Sequence, residues 1–209
     1  MNKDNKKYKN LVFDFSGVFF NLEYKAMFEH FHSNGVQDLE KHVNKYHYSP
    51  FFIDFDLGRI PRERFCNEFR REFNTVISDE IIFNGVLSLL KDFNEPLITW
   101  LKNNSHSYNL YLLSNNNPVA YPYLMEKFET TFGYEFNHLF KDTFYSHFLG
   151  EMKPHPEIFN ILIKKTGINP TETLFIDDTE VNLKTALQLG FQVFHYDQNN
   201  KDKFWSLNL

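Results

Sequence analysis

The chain has 209 residues, of which 42% are hydrophobic and 23% charged, and these proportions describe a globular protein of one domain, or of one domain with an insertion. Its 25 phenylalanines and 11 tyrosines, against 8 glycines and 8 prolines, exclude a disordered or collagen-like chain. The formal net charge of −5 offers no basic surface for nucleic acid, and the single cysteine, Cys66, excludes an internal disulfide and a cysteine-based metal cluster.

The first predicted element is a short buried strand over residues 11–13, within the sequence LVFDFSGVFF. Asp14 interrupts this apolar run, so the run does not resemble the core of a signal peptide. No run of about 18 apolar residues occurs in the chain, which argues against a membrane-spanning helix. We therefore expect a cytoplasmic protein that has no membrane partner.

Residues 20–94 show helical periodicity, and no segment among them has a convincing strand pattern. One helix is predicted to begin near Pro61, because proline is favoured in the first turn of a helix, and its apolar face carries Phe65, Phe69 and Phe73. Another is predicted to begin at Ser78, a favoured N-cap residue. We expect an all-helical insertion whose aromatic residues mostly form its core, with Cys66 among them.

Beyond the insertion, short apolar runs alternate with helical patterns. The runs lie at residues 110–113, 143–145, 173–176 and 192–194. Helices are predicted from Pro156 to Gly167 and over residues 179–189. This alternation predicts an α/β fold with a Rossmann-like parallel sheet and a helical cap inserted after the first strand. We assign residues 1–19 and 95–209 to the core and 20–94 to the cap.

Polar side chains follow the predicted strands where each strand ends. Asp14 follows the first, and Ser114 and Asn115 follow the second. Ligands of open α/β sheets bind at the carboxyl ends of the strands, so these residues are candidates for a binding site. Taken singly, each has a structural explanation, because Asp14 could cap a turn and Ser114 or Asn115 could cap a helix.

Two further segments add charge near the same predicted edge. Lys153 stands shortly before a helix, where it could neutralise a phosphate, although a lone lysine is usually a surface residue. Asp177 and Asp178 follow an apolar strand together, and adjacent carboxylates repel each other unless a cation or donor lies between them. Hard oxygen ligands of this kind favour Mg²⁺.

The order of these residues along the chain resembles the four motifs of the haloacid dehalogenase superfamily. The resemblance covers nearly the whole chain and includes the cap after the first strand and the phrase KPHPEIF around Lys153. The segments DLGRIPRERF and FIDDTEVNLKTALQLG are most similar to the subgroup that contains α-glucose-1-phosphate phosphatase and the N-terminal phosphatase domain of mammalian epoxide hydrolase.

This resemblance implies a role for each residue. Asp14 would be the nucleophile that forms an aspartyl-phosphate, which water then hydrolyses. Mg²⁺ would lie between Asp14, the backbone carbonyl of Ser16 and Asp178, with Asp177 as a further ligand, directly or through water. The phosphoryl oxygens would be held by Ser114 and the Asn115 backbone, and the charge would be balanced by Lys153. Asn182 would support the loop beside the metal.

One position departs from the superfamily pattern. Most of its phosphatases carry a second aspartate two residues after the nucleophile, whereas this chain has Ser16, which cannot act as a general acid near neutral pH. Three consequences remain open. The substrate could have a good leaving group, such as a sugar 1-phosphate; a cap histidine could supply the proton; or the protein could be a slow, phosphometabolite-binding or regulatory module. The histidines considered are His30, His32 and His47.

We therefore predict a Mg²⁺-dependent phosphatase for a small phosphorylated metabolite, with a sugar phosphate as one candidate. Dehalogenase chemistry is disfavoured, because that reaction needs no metal and gives no reason to place Asp177 beside Asp178. A phosphate-receiver domain is excluded, since such domains are shorter and lack a cap. His155 is interpreted as an exposed loop residue, and the oligomeric state does not follow from the sequence.

Overall fold

The computed structural model describes residues 7–44, 47–200, 202–207 and 209. In chain order its strands are β1 (Asn10–Phe13), β2 (Phe20–Leu22), β3 (Val43–Asn44), β4 (His47–Tyr48), β5 (Leu90–Phe93), β6 (Asn109–Ser114), β7 (Asp142–Tyr145), β8 (Thr173–Asp177) and β9 (Gln192–His195). Its helices are α1 (Tyr24–Ser33), α2 (Leu39–His42), α3 (Pro50–Asp56), α4 (Arg62–Glu72), α5 (Asp79–Ser88), α6 (Glu95–Asn104), α7 (Ala120–Phe132), α8 (Ser146–Leu149), α9 (Pro156–Thr166), α10 (Glu180–Gln188) and α11 (Asp202–Trp205).

A five-stranded parallel sheet forms the centre of the fold, with the strand order β7–β6–β1–β8–β9. In register, Phe13 of β1 lies between Leu112 of β6 and Ile176 of β8. All five strands therefore end at the same edge of the sheet, with β1 in the middle. The predicted α/β fold with a Rossmann-like parallel sheet is confirmed.

Both faces of the sheet are buried, which explains why its strands are apolar runs rather than alternating patterns. On β1, Leu11 and Phe13 belong to one hydrophobic cluster, whereas Val12 belongs to a second cluster on the opposite face. The second cluster includes Ile158 and Leu162 of α9. The sheet is therefore covered by helices on both faces. A binding site can form at the carboxyl ends of its strands, which these helices leave accessible.

Helices α1 to α5 come between β1 and β6 in the sequence, and they form the cap. A third hydrophobic cluster packs these helices together, with Phe31, Phe65 and Phe69 fully buried within it. Cys66 is buried in the same cluster. Its burial, and to a smaller extent the negative charge of the nearby Asp79, raise the pKa of its thiol to about 12. The expected aromatic packing of the cap is thus observed, and the thiol is not a reactive one.

The expectation that residues 20–94 contain no strand is wrong. Strand β2 pairs with β5 in antiparallel fashion, and β3 pairs with β4 in the same way. The β2–β5 pair joins the two ends of the insertion where it leaves and re-enters the core. These strands are two to four residues long, too short to show a periodicity of their own.

No helix in the described part of the chain is long and apolar enough to cross a membrane.

Candidate active site

Lys153 lies at the centre of the site, between two carboxylates. Its Nζ is 2.7 Å from Asp14 Oδ1 and 2.8 Å from Asp177 Oδ2. Lys153 and Asp177 are almost completely buried, and Asp14 is 6% exposed. Buried charges persist only where they are paired, and here one ammonium serves two carboxylates. Three residues from three separate segments of the sequence are thus brought into one ion-pair network.

Asp14 follows β1, and the backbone holds it there. Its amide donates to the carbonyl of Ile176 at 2.8 Å, which extends the β1–β8 ladder by one residue. The Phe15 amide donates to Asp14 Oδ1 at 2.6 Å. The contacts observed for this carboxylate within the described residues fall on Oδ1. The other oxygen, Oδ2, is left for a cation or an incoming substrate atom.

Asp177 and Asp178 follow β8 directly and have different surroundings. Asp177 Oδ1 accepts from the Thr179 amide at 2.7 Å, and Asn182 Nδ2 donates to both carboxylate oxygens of Asp177 at 3.2 and 3.0 Å. Asp178 is only half-buried, and its backbone carbonyl lies 3.1 Å from His195 Nε2. Asn182 therefore holds Asp177 through two hydrogen bonds; its support of a metal-side loop, which the family resemblance implies, stays a prediction.

The three carboxylates form a cluster suited to a cation. Asp14, Asp177 and Asp178 each offer an oxygen, and these oxygens lie within 4.8 Å of one another. When all three are ionised, their charge exceeds that of Lys153, the ammonium that pairs with Asp14 and Asp177 among the described residues, so a divalent cation would complete the charge balance. Carboxylate oxygens are the ligands that Mg²⁺ prefers, and the donor set therefore fits this ion.

The peptide between Ser16 and Gly17 lies beside the same cluster. Gly17 has φ of +78°, and a β-carbon there would collide with the carboxylate of Asp178. Only glycine meets both requirements, because it tolerates positive φ and leaves room for a close approach. This geometry places the backbone at Gly17, next to Ser16, against Asp178; a metal-binding role for the Ser16 carbonyl, which the family resemblance implies, stays a prediction.

The electrostatics of the site follow from burial and from these charges. Burial raises the pKa of Asp14 to about 8; Lys153 opposes this shift, and Asp177 and Asp178 add to it. Burial alone would lower the pKa of Lys153, but its ion pairs with Asp14 and Asp177 outweigh burial and raise that pKa above its usual value. Lys153 is therefore a permanent cation, whereas the charge on Asp14 depends on the positive charge around it.

Ser114 and Asn115 close the site on the β6 side. Ser114 is fully buried, and its hydroxyl donates to the Asn115 carbonyl at 3.2 Å. Asn115 Nδ2 donates to the Lys153 carbonyl at 2.8 Å, and the Lys153 amide donates to Asn115 Oδ1 at 2.9 Å. The prediction for Asn115 was that its backbone holds phosphoryl oxygens. The two hydrogen bonds between its side chain and the Lys153 backbone are an additional finding.

The histidines proposed as proton donors have partners elsewhere. His30 Nε2 lies 2.9 Å from the carbonyl oxygen of Ile81, and His32 Nε2 lies 3.2 Å from Glu40 Oε2. The side chain of His47 lies outside the described residues. His155 is exposed, as expected, and pairs with Glu151 at 3.1 Å. Neither His30 nor His32 is brought to the ion-pair network by these contacts.

Sequence reasoning missed two residues at the border of the site. Asp56, at the end of α3, accepts a hydrogen bond from Asn117 Nδ2 at 3.1 Å. Asn117 lies three residues after Ser114, the last residue of β6. Asp56 is the first residue of the segment DLGRIPRERF, which carried the family resemblance, but its contact spans 61 positions and leaves no local signal.

Comparison with known proteins gives consistent matches. The family profile described as haloacid dehalogenase-like hydrolase matches residues 8–190. D-ribitol-5-phosphate phosphatase of Bacteroides thetaiotaomicron is 29% identical over 190 residues, which are 89% of this chain and 90% of that protein. Flavin mononucleotide hydrolase 1 of Arabidopsis thaliana is 26% identical over 142 residues, 66% of this chain and 54% of that protein.

A solved structure from Bacteroides thetaiotaomicron is also similar. It is the crystal structure of a wild-type enzyme of the same family in complex with magnesium and inorganic phosphate. Its TM-score is 0.83 at 30% identity, with 91% of this chain and 94% of that chain covered.

Proposed function

The chain belongs to the haloacid dehalogenase-like hydrolase family, and from this premise we propose that it is a Mg²⁺-dependent phosphatase acting on a small sugar or sugar-alcohol phosphate. The observation that carries the proposal is the network in which Lys153 Nζ pairs with Asp14 at 2.7 Å and with Asp177 at 2.8 Å. A buried nucleophile, a fixed cation and further carboxylates for a metal ion are what phosphoryl transfer requires.

In the proposed reaction, Asp14 attacks phosphorus with the carboxylate oxygen that has no partner among the described contacts. The bond from phosphorus to the ester oxygen breaks, and the departing alkoxide takes up a proton from solvent to become the alcohol. Water then attacks phosphorus, and the bond from phosphorus to the Asp14 oxygen breaks. This releases inorganic phosphate, returns a proton to solvent and restores the Asp14 carboxylate. Lys153 holds the other oxygen of Asp14 and keeps a positive charge beside the transferring group throughout.

The metal ion would be held by Asp14, Asp178 and the Ser16 carbonyl. Asp177 would be a further ligand, directly or through water. A bound Mg²⁺ lowers the repulsion between an anionic nucleophile and an anionic substrate. Ser114 and the Asn115 backbone would hold the phosphoryl oxygens. The side chain of Asn115, through its two bonds to the Lys153 backbone, keeps the lysine segment in place.

The relatives suggest the substrate class. The D-ribitol 5-phosphate of one relative and the flavin mononucleotide of another both contain a linear ribityl chain that ends in a phosphate. We propose that the substrate of this chain has the same part, an acyclic polyol with a terminal phosphate. The polyol of such a substrate would leave as an alkoxide, which is a poor leaving group. The absence of a general acid at position 16, where this chain has Ser16, therefore matters for the rate.

The test is phosphate release from p-nitrophenyl phosphate, D-ribitol 5-phosphate, flavin mononucleotide and α-glucose 1-phosphate, each with Mg²⁺ and with EDTA. We expect metal-dependent turnover in which the two ribityl phosphates exceed glucose 1-phosphate. Because p-nitrophenolate is a good leaving group that needs no acid, p-nitrophenyl phosphate should report activity even if alkyl esters react slowly. A folded protein that releases no phosphate from any ester would contradict the phosphatase proposal and favour a phosphometabolite-binding module.

A further inference from the structure

Residues 56–59 of the cap lie against the core and form what we call the cap–core contact. Asn117 Nδ2 donates to Asp56 Oδ1 at 3.1 Å, and the Ser146 hydroxyl lies 2.6 Å from the Asp56 carbonyl oxygen. Arg59 Nη2 donates to the Gly150 carbonyl at 3.3 Å. At Gly58, where φ is +67°, the space of a β-carbon is taken by the carbonyl of His147. The contact is therefore close and largely polar.

On the core side, this contact rests on one carboxamide with two functions. Asn117 Oδ1 accepts from the amides of Val119 and Ala120 at 3.1 and 2.8 Å, the residue before α7 and the first residue of α7. The same side chain uses Nδ2 for Asp56. Asp56 thus contacts the residue that connects residues 114–117, which we call the 114–117 loop, to the start of α7 at Ala120.

The other end of that loop reaches the catalytic charges. Asn115 makes two hydrogen bonds to the backbone of Lys153, and Lys153 pairs with Asp14. Ser146 links the two sides a second time, because its hydroxyl accepts from the Asn116 amide at 2.9 Å while lying against the Asp56 carbonyl. A continuous set of contacts therefore leads from the cap to the nucleophile.

We propose that Asp56 is a positioning residue: through Asn117 it holds the 114–117 loop in its phosphoryl-binding arrangement only while the cap is docked on the core. The proposal rests on the proposed function, since it assigns that loop to the phosphoryl group. Asp56 does not touch the ion-pair network in the described contacts, and it acts through Asn117.

The chemistry of this carboxyl makes the docking dependent on pH. Burial raises the pKa of Asp56 to about 7, and the hydrogen bond from Asn117 opposes the shift. Asp56 is half-buried in this structure; in the undocked cap its carboxyl would be fully hydrated and regain a pKa near its usual 3.8. The docked cap therefore retains a proton that the undocked cap loses, and docking weakens as the pH rises towards and through 7, by about tenfold from about pH 6 to about pH 8.

Other charged groups near this contact must be counted in any pH experiment. His147 of α8 has a pKa lowered by burial, although its bond to the Asn116 carbonyl opposes that shift. Within the cap, Arg59 lies 3.8 Å from Asp54, and Arg62 of α4 lies over the ring of Phe83. The neighbouring helix α4 also carries the charged residues Glu63, Arg64 and Glu68.

The experiment measures amide hydrogen exchange of residues 115–117, 119 and 120 in the full chain at about pH 6 and about pH 8, with rates corrected for intrinsic exchange. In the wild type we expect the protection factors to fall about tenfold between the two pH values. Asp56→Asn still accepts from Asn117 but cannot ionise, so its protection should not change with pH. In Asp56→Ala, these amides should lack the protection at both pH values. Glu63→Gln, an exposed cap carboxylate, is the matched control and should behave as the wild type.

Steady-state kinetics on p-nitrophenyl phosphate provide the second readout. Asp56→Ala should lower kcat by about ten- to hundredfold, because a misplaced loop weakens the transition state more than it weakens binding. Asp56→Asn should keep the wild-type kcat at the lower pH. Equal protection in wild type, Asp56→Asn and Asp56→Ala, or a wild-type pH dependence in Asp56→Asn, would overturn the proposal. An inactive wild type with the expected exchange pattern would refute the proposed function while leaving the positioning contact intact.

Discussion

Replacing Asp14 with asparagine is expected to lower phosphate release by about 10⁴-fold or more, because the attacking oxygen is lost and the neighbouring Asp177 has both of its carboxylate oxygens engaged. Asp177 Oδ2 is occupied by Lys153, and Asp177 Oδ1 accepts from the Thr179 amide and from Asn182. The measurement is the steady-state rate of wild type and variant on p-nitrophenyl phosphate with saturating Mg²⁺.

The fold of this variant should survive, since the carboxamide matches the carboxylate in size and Lys153 keeps its ion pair with Asp177. Circular dichroism and binding of inorganic phosphate are the controls for that expectation. A variant that retains more than about one hundredth of the wild-type rate would show that Asp14 is not the nucleophile.

Replacing Ser16 with aspartate is expected to raise the rate on alkyl phosphates by about 10²–10⁴-fold and to change the rate on aryl phosphates much less. Ser16 is two residues after Asp14 and is half-buried. A carboxyl at this position can protonate a leaving alkoxide and later activate water, which a hydroxyl cannot do near neutral pH. The measurement compares kcat/KM on D-ribitol 5-phosphate and on p-nitrophenyl phosphate for both proteins.

Ser16→Ala is the matched control for this gain. It removes the hydroxyl but retains the backbone carbonyl, so it should leave the alkyl phosphate rate close to that of the wild type. If Ser16→Asp gives no gain while Ser16→Ala is harmless, another group already supplies the proton. His47 would then be the first histidine to replace, because His30 and His32 are bonded to Ile81 and Glu40.

The central sheet could be predicted because both of its faces are buried. Each strand is a short apolar run, and each run is followed by residues that favour turns and helix starts. The five predicted runs correspond to β1, β6, β7, β8 and β9, with ends that differ by one residue at most. The parallel arrangement also brings the strand ends to one edge, which is why Asp14 and Asp177 could be placed together from their positions alone.

The features that could not be predicted depend on contacts between distant segments. Strands β2 and β5 are separated by most of the cap, and each is only three or four residues long. The contact of Asp56 with Asn117 likewise joins residues that look like ordinary polar residues in their local sequence. In each case the structure is determined by a partner far along the chain rather than by a local pattern.

The alternative of a slow binding module remains distinct in its consequences. Such a protein would share the Lys153 network and the acidic cluster, but it would at most be phosphorylated once on Asp14. Burst kinetics separate the two, because an enzyme continues to release phosphate after the first turnover whereas the module stops.

The most direct test of the account is to quench the wild-type enzyme in acid during turnover of ³²P-labelled substrate and to locate the label. With labelled p-nitrophenyl phosphate, formation of the intermediate needs no acid, whereas its breakdown needs an activated water that Ser16 cannot provide, so label should accumulate. We predict an acid-stable phosphoryl group on the peptide that contains Asp14, absent from the Asp14→Asn variant. Steady turnover without label on that peptide, or label at another residue, would contradict the proposed covalent mechanism.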